Sequence, residues 1–192
     1  MAIKHISTWD KLKVNYWSLP KCGNTSAKIH LYNLCNNSPF LEKKVTKIHS
    51  SKFCTYVSKE VAFSNNYINF TIVRNPYERF LSQYTYIVKN KIKKAEKSNL
   101  QGATIDEFLS YLAETKEMDR DIHLTKQVTF LEKNLDYYIK LENLLTEWPF
   151  KFPPLLLKVN ITNKENTTLT KRQKKKIYNL FKEDFDFLKY QK

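Results

Sequence analysis

The stretch that decides the fold is Trp17-Ser18-Leu19-Pro20-Lys21-Cys22-Gly23-Asn24-Thr25-Ser26-Ala27-Lys28. The apolar run 14–19 predicts a buried strand, and helical spacing over 24–34 predicts a helix directly after the turn. A strand, a tight turn and a helix opened by hydroxyl residues can hold a phosphate, because N–H groups and the helix dipole point at the anion. The chain has only two glycines, Gly23 and Gly102. A glycine in this turn therefore indicates a sharp bend or a close approach of the backbone to another group.

The order of residues in the turn separates it from the nucleotide-triphosphatase loop, in which Lys and Ser or Thr follow the last glycine. Here Lys21 precedes Gly23, and Thr25-Ser26 follow it. The order Pro-Lys-x-Gly-x-Thr-Ser resembles the 5′-phosphosulfate loop of sulfotransferases, enzymes that use 3′-phosphoadenosine 5′-phosphosulfate (PAPS). A strand-turn-helix whose lysine is merely structural is the alternative, so a second, independent match is needed.

Length and composition predict one packed domain over residues 1–192, with an irregular lead-in over 1–12. The hydrophobic content is 42% and the aromatic content 14%, which argues against disorder. The net charge of +14 favours polyanionic partners such as anionic glycans, phosphorylated cofactors, nucleic acid or acidic membrane surfaces. Much of this charge lies in clusters at 89–97 and 171–176 that are typical of a solvated surface, so charge alone does not choose among these partners.

The three cysteines, Cys22, Cys35 and Cys54, show no metal-ligand spacing. We therefore expect neither a structural metal nor a disulfide framework. No stretch reaches the ~20 apolar residues of a membrane span, and residues 1–10 lack the apolar core of a signal peptide. Formal glycosylation acceptors at Asn24 and Asn69 fall inside the proposed loop and a predicted strand, which disfavours a secretory compartment. We expect a cytoplasmic location, or the Golgi lumen if this sequence is a trimmed piece of a longer chain.

Strand and helix candidates alternate along the chain, which predicts an α/β fold with a central, mostly parallel sheet flanked by helices. The predicted strands are 14–19, 45–48, 67–73, 137–141 and 155–159. The predicted helices are 24–34, 55–63, one starting at Pro76 with Asn75 as its cap, 104–112, 119–131, 144–148 and 169–188. We expect the segment 92–101 to be a basic helix end followed by a loop. We expect the segment 160–168 to be a polar loop.

The second match is Arg74-Asn-Pro-x-x-Arg-x-x-Ser82. Asn75 is a good N-cap, Pro76 suits the first helical position, and Glu78 would complete a capping box. Arg74 would then end a strand and Ser82 would lie two turns into the next helix. An arginine fork and a helix hydroxyl can bind one phosphate with charge-assisted bonds. The arrangement is similar to the 3′-phosphate signature of sulfotransferases.

Further segments support the likeness: Asp121-Ile-His123-x-x-x-Gln127, Ile139-Lys-Leu-Glu142-Asn143, Val159-Asn160 and Ile177-Tyr-x-x-Phe-x-x-Asp184-Phe-x-Phe-Leu-x-Tyr190. From about Val14 to Tyr190 the chain resembles the PAPS-dependent carbohydrate sulfotransferases, among them the chondroitin, dermatan, human-natural-killer-epitope and uronyl 2-O-sulfotransferases. The resemblance implies a sulfotransferase fold of the P-loop-containing nucleotide-hydrolase type. It also implies transfer of a sulfuryl group from PAPS to a carbohydrate hydroxyl, with 3′-phosphoadenosine 5′-phosphate as product and no metal. We expect the chain to differ from the animal Golgi members in having no membrane anchor and stem.

The resemblance also assigns roles to residues. Lys21 would contact the 5′-phosphosulfate and stabilise the leaving phosphate. Arg74 and Ser82 would bind the 3′-phosphate. The 5′-phosphate would be held by the loop residues Cys22, Gly23, Asn24, Thr25 and Ser26.

The acceptor hydroxyl needs a base, and His49 is our choice because the uronyl 2-O-sulfotransferases have a catalytic histidine in the comparable segment. His123 and Glu142 are alternative bases, and His49 could instead only cap or pack. His30 is expected to be packed. Lys164, Lys171 and Arg172 could close over the 3′-phosphate or simply be solvated.

Two other functions compete with this interpretation. A small P-loop kinase would need a lysine after the glycine and a magnesium-binding aspartate at a strand end, and neither is evident. A non-enzymatic basic module that binds polyanions would need aromatic and basic residues on one face. It would also leave the two anion motifs unexplained, and we expect no specific nucleic-acid binding.

Overall fold

A computed structural model describes residues 6–89, 100–154 and 167–192. They form two compact units, the first from Met1–Val73 and Leu131–Ile161 and the second from Arg74–Phe130 and Thr162–Lys192. Several sequence predictions lie outside the described residues: most of the segment 92–101, the strand 155–159, most of the loop 160–168, and Lys164. The single domain over 1–192 stays a prediction.

The first unit contains a five-stranded sheet in the order β3-β1-β2-β4-β5. The strands are β1 (Ile6–Trp9), β2 (Val14–Trp17), β3 (Thr55–Tyr56), β4 (Ile68–Val73) and β5 (Tyr137–Lys140). β2 pairs with β4, and β4 with β5, in parallel. β1 pairs antiparallel with both β2 and β3. The sheet of the described residues is therefore mixed, and the predicted mostly parallel sheet is not confirmed, because β1 pairs antiparallel on both of its sides.

Helices α1 (Asn24–Asn36) and α2 (Lys59–Ser64) belong to the same unit. The rings of Tyr16 on β2 and Phe70 on β4 are opposite each other in register, 5.2 Å apart, and both side chains are fully buried. Around them lies an apolar cluster that includes Ala27 and Leu31 of α1 and Ile139 of β5. This packing fixes the start of α1 at the carboxyl end of β2.

Three predictions in this unit are wrong. The irregular lead-in over 1–12 contains β1, whose polar Ser7 is fully buried and accepts a hydrogen bond from the Trp9 indole at 3.1 Å. The strand predicted at 45–48 is part of a 3-10 turn, Val45–His49, because its apolar run is short and only Ile48 is buried. The helix predicted over 55–63 begins later, because Ser58 caps α2 by accepting from the Val61 N–H.

The second unit contains α3 (Pro76–Tyr84), α4 (Ile105–Glu114), α5 (Lys171–Leu180) and α6 (Lys182–Leu188). A π-helical turn, Thr85–Lys89, follows α3. The start of α3 is as predicted, since the Asn75 side chain accepts from the N–H groups of Tyr77 and Glu78. The capping box that opens α4 at Thr104 is also confirmed. The core of the unit includes buried Phe80, Phe108, Ile177 and Phe185 of these helices, and Phe181 between α5 and α6.

The helix predicted over 119–131 is wrong, because the structure has three 3-10 turns there, Glu117–Asp119, Ile122–Leu124 and Val128–Phe130. Carboxylates accept from the backbone N–H groups that a helix would have used: Asp121 from His123, Glu117 from Lys126, and Asp184 from Gln127 and Val128. The terminal helix is two helices, because Phe181 departs from helical angles at φ −116° and ψ 24°. The piece predicted at 144–148 is a turn after a 3-10 segment, Leu141–Asn143.

Candidate active site

The turn between β2 and α1 has two left-handed residues, Lys21 with φ 67° and Gly23 with φ 77°. Gly23 is the N-cap of α1 and offers no side chain to the N–H groups of the first helical turn. Those groups have no partner within the helix, and the helix dipole adds partial positive charge at the same place. The turn and the start of α1 are therefore suited to an anion, with Lys21 beside them.

Two buried oxygens flank this turn. Ser18 is 3% exposed, and no hydrogen-bond partner for its Oγ occurs in the described part of the chain. The same holds for the buried Oδ1 of Asn24, the first residue of α1. A buried polar atom without a partner costs roughly 1–3 kcal/mol. Such atoms on both sides of the turn favour a site in which a ligand supplies the missing hydrogen bonds.

Gly23 and Cys22 are constrained by packing. A Cβ on Gly23 would lie 3.2 Å from Cδ1 of Leu141, the residue after β5, and the left-handed backbone already disfavours other residues there. Cys22 is fully buried, with its Sγ 3.6 Å from the carbonyl oxygen of Pro20. A buried thiol of this kind does not act as a nucleophile. The binding role of Cys22 in the loop stays a prediction.

His49 lies beside the first turn of α1. Its Nε2 is 3.0 Å from Oγ1 of Thr25, across 24 residues of sequence. Burial, together with the positive charge of Lys28, lowers the pKa of His49 to about 4. The imidazole is therefore neutral at pH 7 and has a nitrogen lone pair that can accept a proton. The structure thus brings together two of the predicted site residues of the first unit.

Arg74 follows β4 directly and belongs to the second unit. Its side chain is 16% exposed, and its Nη2 is 3.7 Å from Oε2 of Glu78. Ser82, on α3, is 9% exposed. The strand end and the capped helix place both residues as the sequence predicted, while their role in binding stays a prediction.

Comparison with known proteins identifies the family. The model of the Sulfotransferase family matches residues 4–191, nearly the whole chain. The chain belongs to the sulfotransferase family. It is thus an enzyme that transfers a sulfuryl group, and this activity implies a nucleotide cosubstrate and an acceptor. No significant match was found among curated proteins or solved structures.

In this sulfotransferase the backbone of Arg74 is held by a side chain that sequence reasoning did not assign. Gln127 accepts from the Arg74 N–H at 2.9 Å and donates to the Arg74 carbonyl at 2.9 Å. Gln127 is fully buried, and its own N–H donates to Oδ2 of Asp184. Gln127 and Asp184 both lie in segments that resemble the family, but the motif spacing alone did not show that they touch.

Asp184 is the centre of a buried polar cluster in the second unit. The carboxylate accepts from the N–H groups of Gln127 and Val128, both at 2.9 Å, and lies 4.0 Å from Nη1 of Arg79. Nη1 of Arg79 also donates to the Thr125 carbonyl at 2.8 Å. Burial raises the pKa of Asp184, while Arg79 and the backbone donors oppose this shift. The cluster supports the segment that holds Arg74.

A second residue that the sequence did not assign is Lys28 on α1. It is 1% exposed, and its Nζ donates to the hydroxyl of Tyr56 at 2.9 Å. The Tyr56 hydroxyl donates to the His49 carbonyl at 2.8 Å. The only signal available was the spacing of Thr25 and Lys28, three residues apart, which puts them on one face of the helix.

The other candidate bases have different surroundings. His123 lies on a 3-10 turn, with its Nδ1 2.6 Å from Oδ1 of Asp121 and its ring 4.7 Å from that of Tyr86. Glu142 is exposed on the 3-10 segment after β5. His30 is packed as predicted: its Nε2 is 2.8 Å from the Pro153 carbonyl, and burial lowers its pKa.

Among the residues that the structure describes, no helix is long and apolar enough to cross a membrane. In the same ranges, no group of three or more His, Cys, Asp or Glu side chains could hold a metal ion. The metal-free site stays a prediction.

Proposed function

We propose that this sulfotransferase uses PAPS and transfers the sulfuryl group in line to a hydroxyl of a carbohydrate acceptor. The observation that supports it best is the turn before α1: a left-handed lysine and glycine, an uncapped helix start, and buried oxygens of Ser18 and Asn24 without partners in the described residues. These are the features expected of a pocket for a phosphate-like group. When bound there, PAPS supplies the sulfuryl group, and 3′-phosphoadenosine 5′-phosphate is released.

In this proposal the loop holds the 5′ end of the nucleotide. Backbone N–H groups from Cys22 to Ser26, with the hydroxyls of Thr25 and Ser26, bind the 5′-phosphate. Lys21 stabilises the negative charge that grows on the bridging oxygen as the bond to sulfur breaks, which is the main electrostatic contribution to the rate. In the second unit, Arg74 and Ser82 bind the 3′-phosphate, with the Arg74 backbone fixed by Gln127.

His49 is the proposed general base. It is neutral at pH 7 and touches Thr25, a residue of the proposed 5′-phosphate site. It would take the proton of the acceptor hydroxyl as the new oxygen–sulfur bond forms. A base works best with a pKa near the working pH, and the pKa of about 4 is lower than that. A nucleotide bound beside His49 adds negative charge, which raises the pKa of an imidazole toward this range.

The carbohydrate acceptor is proposed from the resemblance of the chain to carbohydrate sulfotransferases. The net charge of +14 supports an anionic glycan in particular. The family match covers both compact units, and this supports a single catalytic domain.

The test is transfer of labelled sulfate from PAPS to a panel of neutral and anionic glycans. Lys21→Ala should abolish transfer, whereas Lys13→Ala should not. Lys13 is a matched control, because it is also a left-handed lysine, with φ 55° against 67° for Lys21. His49→Ala should reduce kcat by about 10²-fold or more. Transfer to no glycan, together with tight binding of 3′-phosphoadenosine 5′-phosphate, would overturn the acceptor class but not the cofactor.

Titration calorimetry separates the competing functions. Binding of 3′-phosphoadenosine 5′-phosphate that Arg74→Ala abolishes supports the proposal. Preference for ATP with magnesium would favour a kinase, and indifference to both nucleotides would favour a non-enzymatic polyanion-binding module.

A further inference from the structure

Lys28 is a buried charge for which the proposed reaction has no direct use. It is 1% exposed, although lysine is almost never fully buried unless it is paired. Its Nζ donates to the Tyr56 hydroxyl at 2.9 Å and lies 4.6 Å from the centre of the Tyr56 ring. Burial lowers the pKa of Lys28 to about 8, so the side chain still has its charge at pH 7. A buried ammonium of this kind calls for a functional explanation.

The hydrogen bonds from Lys28 lead to the proposed base. The Tyr56 hydroxyl accepts a hydrogen bond from Lys28 and donates one to the backbone carbonyl of His49 at 2.8 Å. The imidazole of His49 then meets Thr25 at 3.0 Å. Thr25 and Lys28 lie on one face of α1. The relay Lys28–Tyr56–His49–Thr25 therefore begins and ends on the helix whose first turn is the proposed phosphate site.

We propose that Lys28 is a positioning residue for His49: its ammonium holds the Tyr56 hydroxyl, which holds the His49 carbonyl and so keeps the imidazole beside Thr25. The positive charge of Lys28 adds to burial, the larger effect, in disfavouring a protonated imidazole. This inference rests on the proposed role of His49 as the base. A positive charge near an imidazole disfavours protonation of the imidazole, because protonation would add a second positive charge. A site of low polarity strengthens this repulsion.

The other titratable groups around His49 do not compete with Lys28. Tyr56 lies on β3, and burial raises the pKa of its phenol further above neutrality. Cys54 donates its Sγ–H to the Ile48 carbonyl at 2.9 Å, and burial raises its pKa to about 11. Both are uncharged where His49 titrates. Lys47, on the same 3-10 turn, is exposed and pairs with Glu42 at 2.6 Å.

The experiment is a ¹H NMR titration of the His49 C2–H in the full chain, assigned by its absence in His49→Gln. In Lys28→Gln, which removes the charge and keeps an N–H donor on a side chain one atom shorter, the midpoint of the His49 titration should rise by about one pH unit. Lys47→Gln removes an exposed charge two residues from His49 and should shift the midpoint by less than about 0.3 pH unit. Lys28→Met replaces Lys28→Gln if the latter does not fold.

An equal midpoint in the Lys28 and Lys47 variants would overturn the proposal. Activity provides the second readout: in Lys28→Gln, the acid limb of the pH profile of kcat/KM should move to higher pH together with the NMR midpoint. Tyr56→Phe keeps the charge but breaks the relay, so it should lower kcat severalfold with little change in KM. Full activity of His49→Ala would overturn the proposed role of His49 as the base. That result differs from an unchanged His49 midpoint in Lys28→Gln, which would overturn only the role of Lys28.

Discussion

Replacing Asp184 by Asn should strongly destabilise this sulfotransferase. The carboxylate is fully buried, accepts two backbone N–H groups at 2.9 Å, and lies 4.0 Å from the Arg79 guanidinium. Asparagine has the same shape but only one accepting oxygen, so its NH₂ group would face a backbone donor. Arg79, 1% exposed, would lose its counter-charge at the same time. Breaking a buried pair in this way costs about 3–5 kcal/mol.

Asp186→Asn is the matched control. Asp186 lies on the same helix, its side chain is 55% exposed, and its partner Lys182 is 3.8 Å away. An exposed pair of this kind contributes at most about 0.5 kcal/mol. Urea unfolding followed by circular dichroism gives the free energy of unfolding of both variants. If the free energies of unfolding of Asp184→Asn and Asp186→Asn differ by less than about 1 kcal/mol, the Asp184 carboxylate is not the centre of this cluster, and the inference is wrong.

The same substitution should also affect binding. Asp184 fixes the backbone of Gln127, and Gln127 fixes that of Arg74. Under conditions where Asp184→Asn is still folded, the affinity for 3′-phosphoadenosine 5′-phosphate should fall by about tenfold, because displacement of a binding group by a fraction of an ångström weakens its contacts. Unchanged affinity in the folded variant would show that the cluster stabilises the unit without positioning Arg74.

Three further outcomes are expected for the turn before α1 and its contact with His49. Gly23→Ala and Gly102→Ala should each lower the free energy of unfolding, measured with urea, by about 1–2 kcal/mol, because both positions have a left-handed backbone. Only Gly23→Ala should also weaken nucleotide binding in calorimetry, because a Cβ there meets Leu141 at 3.2 Å, whereas nothing lies within 4 Å at Gly102. Thr25→Val should lower kcat about tenfold while Thr25→Ser retains it, since only the hydroxyl contacts His49. Binding of 3′-phosphoadenosine 5′-phosphate should raise the NMR midpoint of His49 from about 4, and an unmoved midpoint would argue against an anion beside it.

Local chemistry made part of the structure predictable. The turn with Gly23, the strand that became β4, and the helix starts at Asn75 and Thr104 all follow from residues within a few positions of one another. Capping and turn preferences act over this short range, so one sequence is enough to see them. The loop and strand-end residues of the candidate site were located for the same reason.

Long-range polar contacts were not predictable in this way. The segment 119–131 has helical spacing, but its backbone donors are taken by carboxylates, one of them Asp184, 57 residues from Gln127. β1 contains buried Ser7 and Thr8, which read as surface residues until the neighbouring strands are known. Lys28 is one of many lysines, and its spacing from Thr25 places the two residues on one helix face without showing that Lys28 is buried.

The supporting residues of the candidate site have one property in common. Lys28 and Tyr56 hold His49 in one unit, and Gln127 and Asp184 hold Arg74 in the other. Lys28, Gln127 and Asp184 are buried and Tyr56 is half-buried, and each is stable in its place only while its hydrogen bonds are made. Because such a group is costly when its partner moves, it confines the backbone of the residue it holds more narrowly than an apolar contact would. We therefore expect substitution of these supports to change pH dependence or affinity even though none of them touches the nucleotide in the proposed reaction.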